Sequence, residues 1–93
     1  MGDVIERLGR TIAERKANPP AESYTASLFA AGLPRMAQKV GEEGVETAIA
    51  ALSETDDRLI SEMADLVYHC LVLLAAKGHT WDEVEAELAR RFK

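Results

Sequence analysis

The sequence predicts an all-α protein, an antiparallel helical bundle of about four to five helices. Three observations support this prediction. No segment alternates apolar and polar residues as a half-buried strand would. Apolar residues recur instead at helical spacing along most of the chain. Capping and helix-stopping residues divide the chain into closely connected segments. With 93 residues, the chain suits a single domain over 1–93.

The first helix follows Asp3, which together with Glu6 has the spacing of a capping box. The Asn-Pro-Pro run at 18–20 stops this helix near Ala17, because proline cannot continue it. The apolar stripe of the helix consists of Val4, Ile5, Leu8 and Ile12. This spacing indicates a helix with one face directed at a core.

Two helices are predicted in the next stretch. Ser23 or Thr25 caps a short helix that Gly32 closes. Pro34 suits the first turn of the first long helix, which runs to about Leu52. Short connections of this kind are typical of an antiparallel bundle.

The second half of the chain also contains two predicted helices. The second long helix runs from about Asp57 to Lys77, and Gly78 ends it. Thr80 and Glu83 form a capping box for the last helix. The inner stripe of that helix is Trp81, Val84, Leu88 and Phe92.

Composition and charge narrow the range of possible functions. The net charge of −5 argues against a nucleic-acid-binding surface, which would be basic. It permits a phosphate substrate that a metal ion bridges to the protein. The hydrophobic share of 47% exceeds what so short a chain buries, so we expect a homodimer. No signal-peptide pattern is visible, and the uncharged run at 66–76 is too short to cross a bilayer. We therefore expect a cytoplasmic protein without membrane contact.

Carboxylates line one side of each long helix. On the first long helix, Lys39 shares an arc of about 100° with three glutamates. These glutamates are Glu42, Glu43 and Glu46. On the second long helix, Glu62, Asp65 and His69 share an arc of about 60°. Two antiparallel helices can bring the two acid lines together, each beside an apolar packing face.

The acids of the second long helix lie in an apolar stretch. Between Leu59 and Ala76 only Glu62 and Asp65 carry a formal charge, so we expect them to lack a basic neighbour. A buried carboxylate costs several kcal/mol unless a cation meets it. A divalent ion with oxygen ligands, typically Mg²⁺, is the simplest partner for so many acids. The alternative is that each acid line is a solvated helix face.

Other polar residues near the acids allow two interpretations each. His69 is either a satisfied core histidine or a group that reaches the substrate. Lys39 either contacts phosphate or pairs with Glu43 one turn later. Gly41 and Gly44 each cost about 0.5–1 kcal/mol in a helix, which indicates close approach of a ligand or another helix, or only tight helix packing. Tyr24 and Thr25 are either capping and packing residues or substrate contacts. Arg35 is either a solvated charge or a substrate contact.

Longer motifs resemble a known family. The segments concerned are Ser23 to Phe29, Gly32-Leu33, Gln38 to Glu43, Ala64 to His69 and Val84 to Arg91. With Glu-Glu-x-x-Glu at 42–46 and Glu-x-x-Asp at 62–65, they are similar to the phosphoribosyl-ATP pyrophosphatases of histidine biosynthesis. The acid motif alone indicates only the superfamily, the all-α nucleoside-triphosphate pyrophosphohydrolases. The resemblance runs from about Ile5 to Arg91.

The resemblance implies Mg²⁺-dependent hydrolysis of phosphoribosyl-ATP to phosphoribosyl-AMP and pyrophosphate. It implies four metal-ligating carboxylates: Glu43, Glu46, Glu62 and Asp65. Glu42 and Glu43 are the expected catalytic residues, with Glu42 either a further ligand or a group that orients water. Lys39 is expected to hold the pyrophosphate group. The other candidates for substrate binding are Tyr24, Thr25, Arg35 and His69.

Three other functions are considered. A nucleotide-pool-cleaning pyrophosphohydrolase would use the same acids on a deoxynucleoside triphosphate. A di-iron bundle needs Glu-x-x-His twice, whereas Glu46 and Asp65 stand three residues after Glu43 and Glu62. That all-oxygen set suits Mg²⁺ better than iron. A non-catalytic helical dimerisation module would leave Glu62 and Asp65 without a role.

Overall fold

The computed structural model describes residues 2–92 and shows five helices. They are α1 (Gly2–Ala17), α2 (Tyr24–Ala31), α3 (Leu33–Ser53), α4 (Asp56–Ala76) and α5 (Trp81–Arg91). Within 2–92 there is no strand. The all-α fold and the predicted number of helices are therefore confirmed.

Local capping sets the helix boundaries. Of the two predicted caps for α2, the structure uses Ser23, whose hydroxyl accepts a hydrogen bond from the Ala26 backbone N–H at 3.1 Å. Gly32 separates α2 from α3 with φ of 101°, a conformation that glycine adopts without strain. The predicted capping box of α5 is present between Thr80 and Glu83. At the N-terminus α1 begins at Gly2, so that Asp3 lies in the first turn rather than at the cap.

The core lies where α1, α2 and α4 meet the start of α3. Its buried apolar residues are Ile12, Leu28, Met36, Leu71 and Val72. The two long helices, α3 and α4, pack against each other as an antiparallel hairpin joined at 54–55. The amino group of Lys16 donates to the Ala75 backbone carbonyl at 2.8 Å and so ties α1 to the last turn of α4. The hairpin and α2 provide every residue of the site described below.

The inward face of α3 differs from the sequence expectation. Its buried residues are Met36, Glu43, Thr47 and Ala50. The apolar side, expected to be a packing face, points away from the rest of the chain: Val45, Ile49 and Leu52 are 61%, 47% and 88% exposed. On α4, Ile60 and Met63 are exposed as well. The hairpin thus turns Glu43 and Glu62 inward and leaves apolar side chains outside.

Helix α4 is long and apolar enough to cross a membrane, judged by length and composition alone. The prediction from sequence rested only on the uncharged run at 66–76, which is too short for a span. The whole helix, Asp56–Ala76, is long enough and apolar enough. Here α4 packs against α1, α2 and α3, and its buried His69 bonds to the Tyr24 side chain of α2. These contacts are those of a core helix in a folded domain.

Candidate active site

Three carboxylates from two helices meet between α3 and α4. Glu43 comes from α3, and Glu62 and Asp65 come from α4. Each offers an oxygen atom, and these oxygen atoms all lie within 4.8 Å of one another. Glu43 and Glu62 are only 6% and 8% exposed, whereas Asp65 faces solvent. The two predicted acid lines therefore converge, with one open side.

Glu46 adjoins this cluster through Glu43. It is exposed and lies one turn further along α3, where its carboxylate can accept a hydrogen bond from the carboxyl group of Glu43 when Glu43 is protonated. This bond, together with burial and the negative charge of Glu46, raises the pKa of Glu43 to about 7. The charge of Asp65 acts in the same direction, and Lys39 opposes it. An added cation would relieve this crowding of like charges.

Arg58 pairs with Glu62, which corrects the expectation that the acids of α4 lack a basic neighbour. Its Nη2 donates to Glu62 Oε2 at 2.9 Å, and its Nε donates to Glu54 Oε1 at 3.4 Å. Arg58 stands one residue before the apolar stretch and one helical turn before Glu62. The i, i+4 spacing that places the two side chains together is readable in the sequence. The expectation failed because it counted basic residues only within 59–76, and Arg58 lies just outside that range.

Glu42 is exposed and lies beside the three converging carboxylates rather than among them, in a polar network of its own helix. Gln38 donates to its Oε2 at 2.8 Å, Lys39 Nζ lies 3.4 Å from its Oε1, and Arg35 Nη1 lies 3.9 Å from its Oε2. Burial works against the charge of Lys39, but Tyr24 and the glutamates at 42 and 43 outweigh it and raise the pKa of Lys39. Lys39 thus pairs with Glu42 and also lies near Glu43.

A second polar cluster joins α2 to the turn of α4 that carries Asp65. His69 is buried, and its Nδ1 lies 2.7 Å from the Asp65 backbone oxygen. A carbonyl oxygen only accepts, so Nδ1 carries the proton and Nε2 accepts from the Tyr24 hydroxyl at 3.0 Å. The hydroxyls of Thr25 and Tyr68 hydrogen-bond to each other, and the Tyr24 and Tyr68 rings stack at 6.2 Å. Both nitrogens of His69 and the Thr25 hydroxyl therefore have partners inside the chain.

The two glycines of the acid line stand in open space. Nothing in the described part of the chain comes within 4 Å of a Cβ built at Gly41 or Gly44. Tight packing within the chain, one of the interpretations of these glycines, is therefore wrong. Approach of a ligand or a second chain stays a prediction.

The donor set fits a hard divalent cation. All of its atoms are carboxylate oxygens, which Mg²⁺ prefers, and no histidine or cysteine belongs to the group within residues 2–92. A helical bundle that gathers carboxylates from two antiparallel helices, with one open side, defines an all-α protein with a candidate site for a divalent cation. The fold and the site define that class before any relative is considered.

Comparison with known proteins identifies the family. The family model described as phosphoribosyl-ATP pyrophosphohydrolase matches residues 5–92. A phosphoribosyl-ATP pyrophosphatase of Metallosphaera sedula is 54% identical over 93 residues and covers 100% of both chains. Another, from Novosphingobium aromaticivorans, is 54% identical over 97% of this chain and 84% of its own. A third, from Pyrobaculum calidifontis, is 53% identical over 97% of this chain and 96% of its own. The chain belongs to the phosphoribosyl-ATP pyrophosphohydrolase family.

Proposed function

We propose that this chain hydrolyses phosphoribosyl-ATP to phosphoribosyl-AMP and pyrophosphate, the second step of histidine biosynthesis. The enzyme is a hydrolase by family. The observation that supports the proposal is the convergence of Glu43, Glu62 and Asp65, whose oxygen atoms lie within 4.8 Å of one another. Three carboxylates so close together repel one another, and a cation bound to phosphate removes that repulsion.

We propose Mg²⁺ as the cofactor, held by Glu43, Glu46, Glu62 and Asp65. When bound, such an ion supplies positive charge beside the phosphoryl oxygens and makes water a better nucleophile. Glu43 contributes to this set from the buried side, and Asp65 from the exposed side. Glu42 is exposed on the neighbouring position of α3, and we assign it, with Glu43, to the orientation of the attacking water.

The proposed substrate contacts follow from exposure. Tyr24 is 52% exposed, and Lys39 and Arg35 carry positive charge on the first turns of α3. We propose that these three side chains contact the base, the ribose or the phosphates. Thr25 and His69 are buried and paired, so they serve substrate binding by holding Tyr68 and Tyr24 in place. We propose that the chain works in the cytoplasm without membrane contact. It would bind no nucleic acid, as its net charge of −5 favours.

We further propose that two chains assemble as a homodimer through the outer face of the α3–α4 hairpin. Ile49 and Ile60 are equally far along the chain from the turn at 54–55, so they lie at the same height on the two antiparallel helices. Both are exposed, as are Val45, Leu52 and Met63. An apolar surface of this kind on so small a chain marks an interaction site.

The test is hydrolysis of phosphoribosyl-ATP measured beside ATP and deoxynucleoside triphosphates, with Mg²⁺ and with a chelator. We expect turnover of phosphoribosyl-ATP that the chelator abolishes. Asp65→Asn should lose most of this turnover, because it removes one proposed ligand. Asp82→Asn, an exposed aspartate on α5, is the matched control and should keep it. Equal activity on all triphosphates would instead favour nucleotide-pool cleaning, and wild-type turnover in Asp65→Asn would contradict the ligand assignment.

A further inference from the structure

The pair between Arg58 and Glu62 joins an exposed cation to a nearly buried anion. The Arg58 side chain is 54% exposed, whereas that of Glu62 is 11% exposed. The guanidinium holds Oε2 of Glu62 and also reaches Glu54, which lies one turn earlier on the hairpin. Arg58 thus lies at the rim of the carboxylate cluster, with a half-exposed side chain whose guanidinium bonds to Glu62.

A divalent ion would change what Arg58 meets there. In the metal-free chain, the guanidinium offsets the charge of Glu62, one of the three converging carboxylates. An ion bound by the same carboxylates supplies two positive charges, so the attraction of Glu62 for Arg58 falls and the ion repels the guanidinium. A phosphate chain beside the ion is strongly anionic, and a guanidinium binds phosphate oxygens through paired, charge-assisted hydrogen bonds.

We propose that Arg58 is a phosphate-binding residue of the active site, which bonds to Glu62 in the metal-free chain and to the phosphates of the substrate once the metal is bound. This inference rests on the proposed function, since it requires the carboxylates to hold a divalent ion. The Arg58 side chain is half exposed and has many rotamers, so it can change partner without movement of α4. Arg58 stands outside the sequence motifs that indicated the site.

Two simpler roles make different predictions. If Arg58 only holds Glu62 in the orientation that binds metal, its removal weakens the binding of metal and phosphate together. If the pair is an ordinary surface ion pair, its removal changes neither. The proposed change of partner alone predicts opposite effects: the metal by itself binds as tightly as before or more tightly, and the phosphate binds more weakly.

The experiment is calorimetric titration of the full chain with two probes. The first is Mg²⁺ alone, added to metal-stripped protein. The second is pyrophosphate, added in saturating Mg²⁺. The variants are Arg58→Ala and Arg58→Lys. The matched control is Arg10→Ala, which breaks an exposed i, i+4 pair with Glu6 at 3.0 Å on α1.

For Arg58→Ala we expect unchanged or tighter Mg²⁺ binding and pyrophosphate binding weakened by about tenfold or more, the effect of one lost charge-assisted hydrogen bond. Arg58→Lys should fall between, because it keeps the charge but loses the paired geometry. Arg10→Ala should match the wild type with both probes. Weakening of both probes in Arg58→Ala, or of neither, overturns the inference. Absence of Mg²⁺ binding in the wild type would instead reject the proposed metal site, on which the inference depends.

Discussion

On α3, the carboxylate of Glu46 can accept a hydrogen bond from Glu43 when Glu43 is protonated, and this interaction, with burial, raises the pKa of Glu43 to about 7. Glu43 is one of the three acids whose oxygen atoms converge between α3 and α4. In the metal-free protein this side chain therefore opposes folding when it is ionised. The raised pKa of Glu43 predicts how the stability of the metal-free protein changes with pH.

Metal-free protein should lose stability as the pH rises from about 4.5 to about 7 because of Glu43. A carboxyl whose pKa is raised in the folded state binds a proton more tightly there than in the unfolded chain, so its contribution is favourable below pH 4.5 and is lost as the pH passes 7. Glu43→Gln cannot ionise and should remove this loss. Thermal melts in a chelator at pH 5 and pH 8 measure it.

The comparison uses the difference between variant and wild type, which cancels the other titrating groups. Glu43→Gln should gain melting temperature relative to the wild type at pH 8 and less at pH 5. Glu85→Gln, an exposed glutamate on α5, is the control and should show no such change between the two values. An equal shift of Glu43→Gln at both pH values would contradict the assigned pKa.

Tyr24→Phe should weaken the fold by about 1–2 kcal/mol, because it removes the hydroxyl that satisfies the buried Nε2 of His69. The ring and its stacking with Tyr68 are kept. Chemical denaturation measures the loss, and the ¹⁵N shifts of His69 report which nitrogen carries the proton. Wild-type stability with unchanged shifts would show that the bond between Tyr24 and His69 contributes nothing in solution. Phe92→Tyr is the control, because it changes a ring hydroxyl at an exposed residue near the C-terminus and should leave stability unchanged.

The helices were predictable from the sequence because their signals are local. Ser23 precedes a helical run, Gly32 ends one, and Thr80 with Glu83 makes a capping box. Each of these features depends on a few neighbouring residues and on backbone sterics. The convergence of Glu43 with Glu62 was also foreseen, since two antiparallel helices with acids on one side have few ways to pack.

The sequence did not predict in the same way which side of each helix is buried. Burial of an apolar side is the general rule for a single chain, yet Ile49 and Leu52 are exposed while Glu43 is buried. Which side of a helix is buried depends on all the surfaces that can pack against it. A partner chain would provide a further such surface. The bond from Tyr24 to His69 joins residues 45 apart in sequence, which no local spacing reveals. Tyr68 was missed for the same reason.

Gly41→Ala should raise the stability of the isolated chain by about 0.5–1 kcal/mol, since alanine is the better helix former and open space surrounds the new methyl group. Gly32→Ala provides the contrast. Its φ of 101° strains any residue with a Cβ, so it should lose stability. Denaturant melts compare the two variants. A loss of stability in Gly41→Ala would instead reveal a partner chain or ligand packed against that turn of α3.

Ile49→Glu should dissociate the proposed homodimer. Ile49 lies on the outer face of α3 at the height of Ile60 on α4, and the two residues are 47% and 68% exposed. A charge placed inside an apolar interface is desolvated without a partner, so we expect dimer affinity to fall by well over tenfold while the monomer stays folded. Sedimentation velocity at micromolar concentration measures the assembly, and circular dichroism checks the fold. Val4→Glu adds the same charge at an exposed valine of α1 and should leave the dimer intact. A wild type that sediments as a monomer would reject the homodimer, and a dimeric Ile49→Glu would place the interface on a different surface.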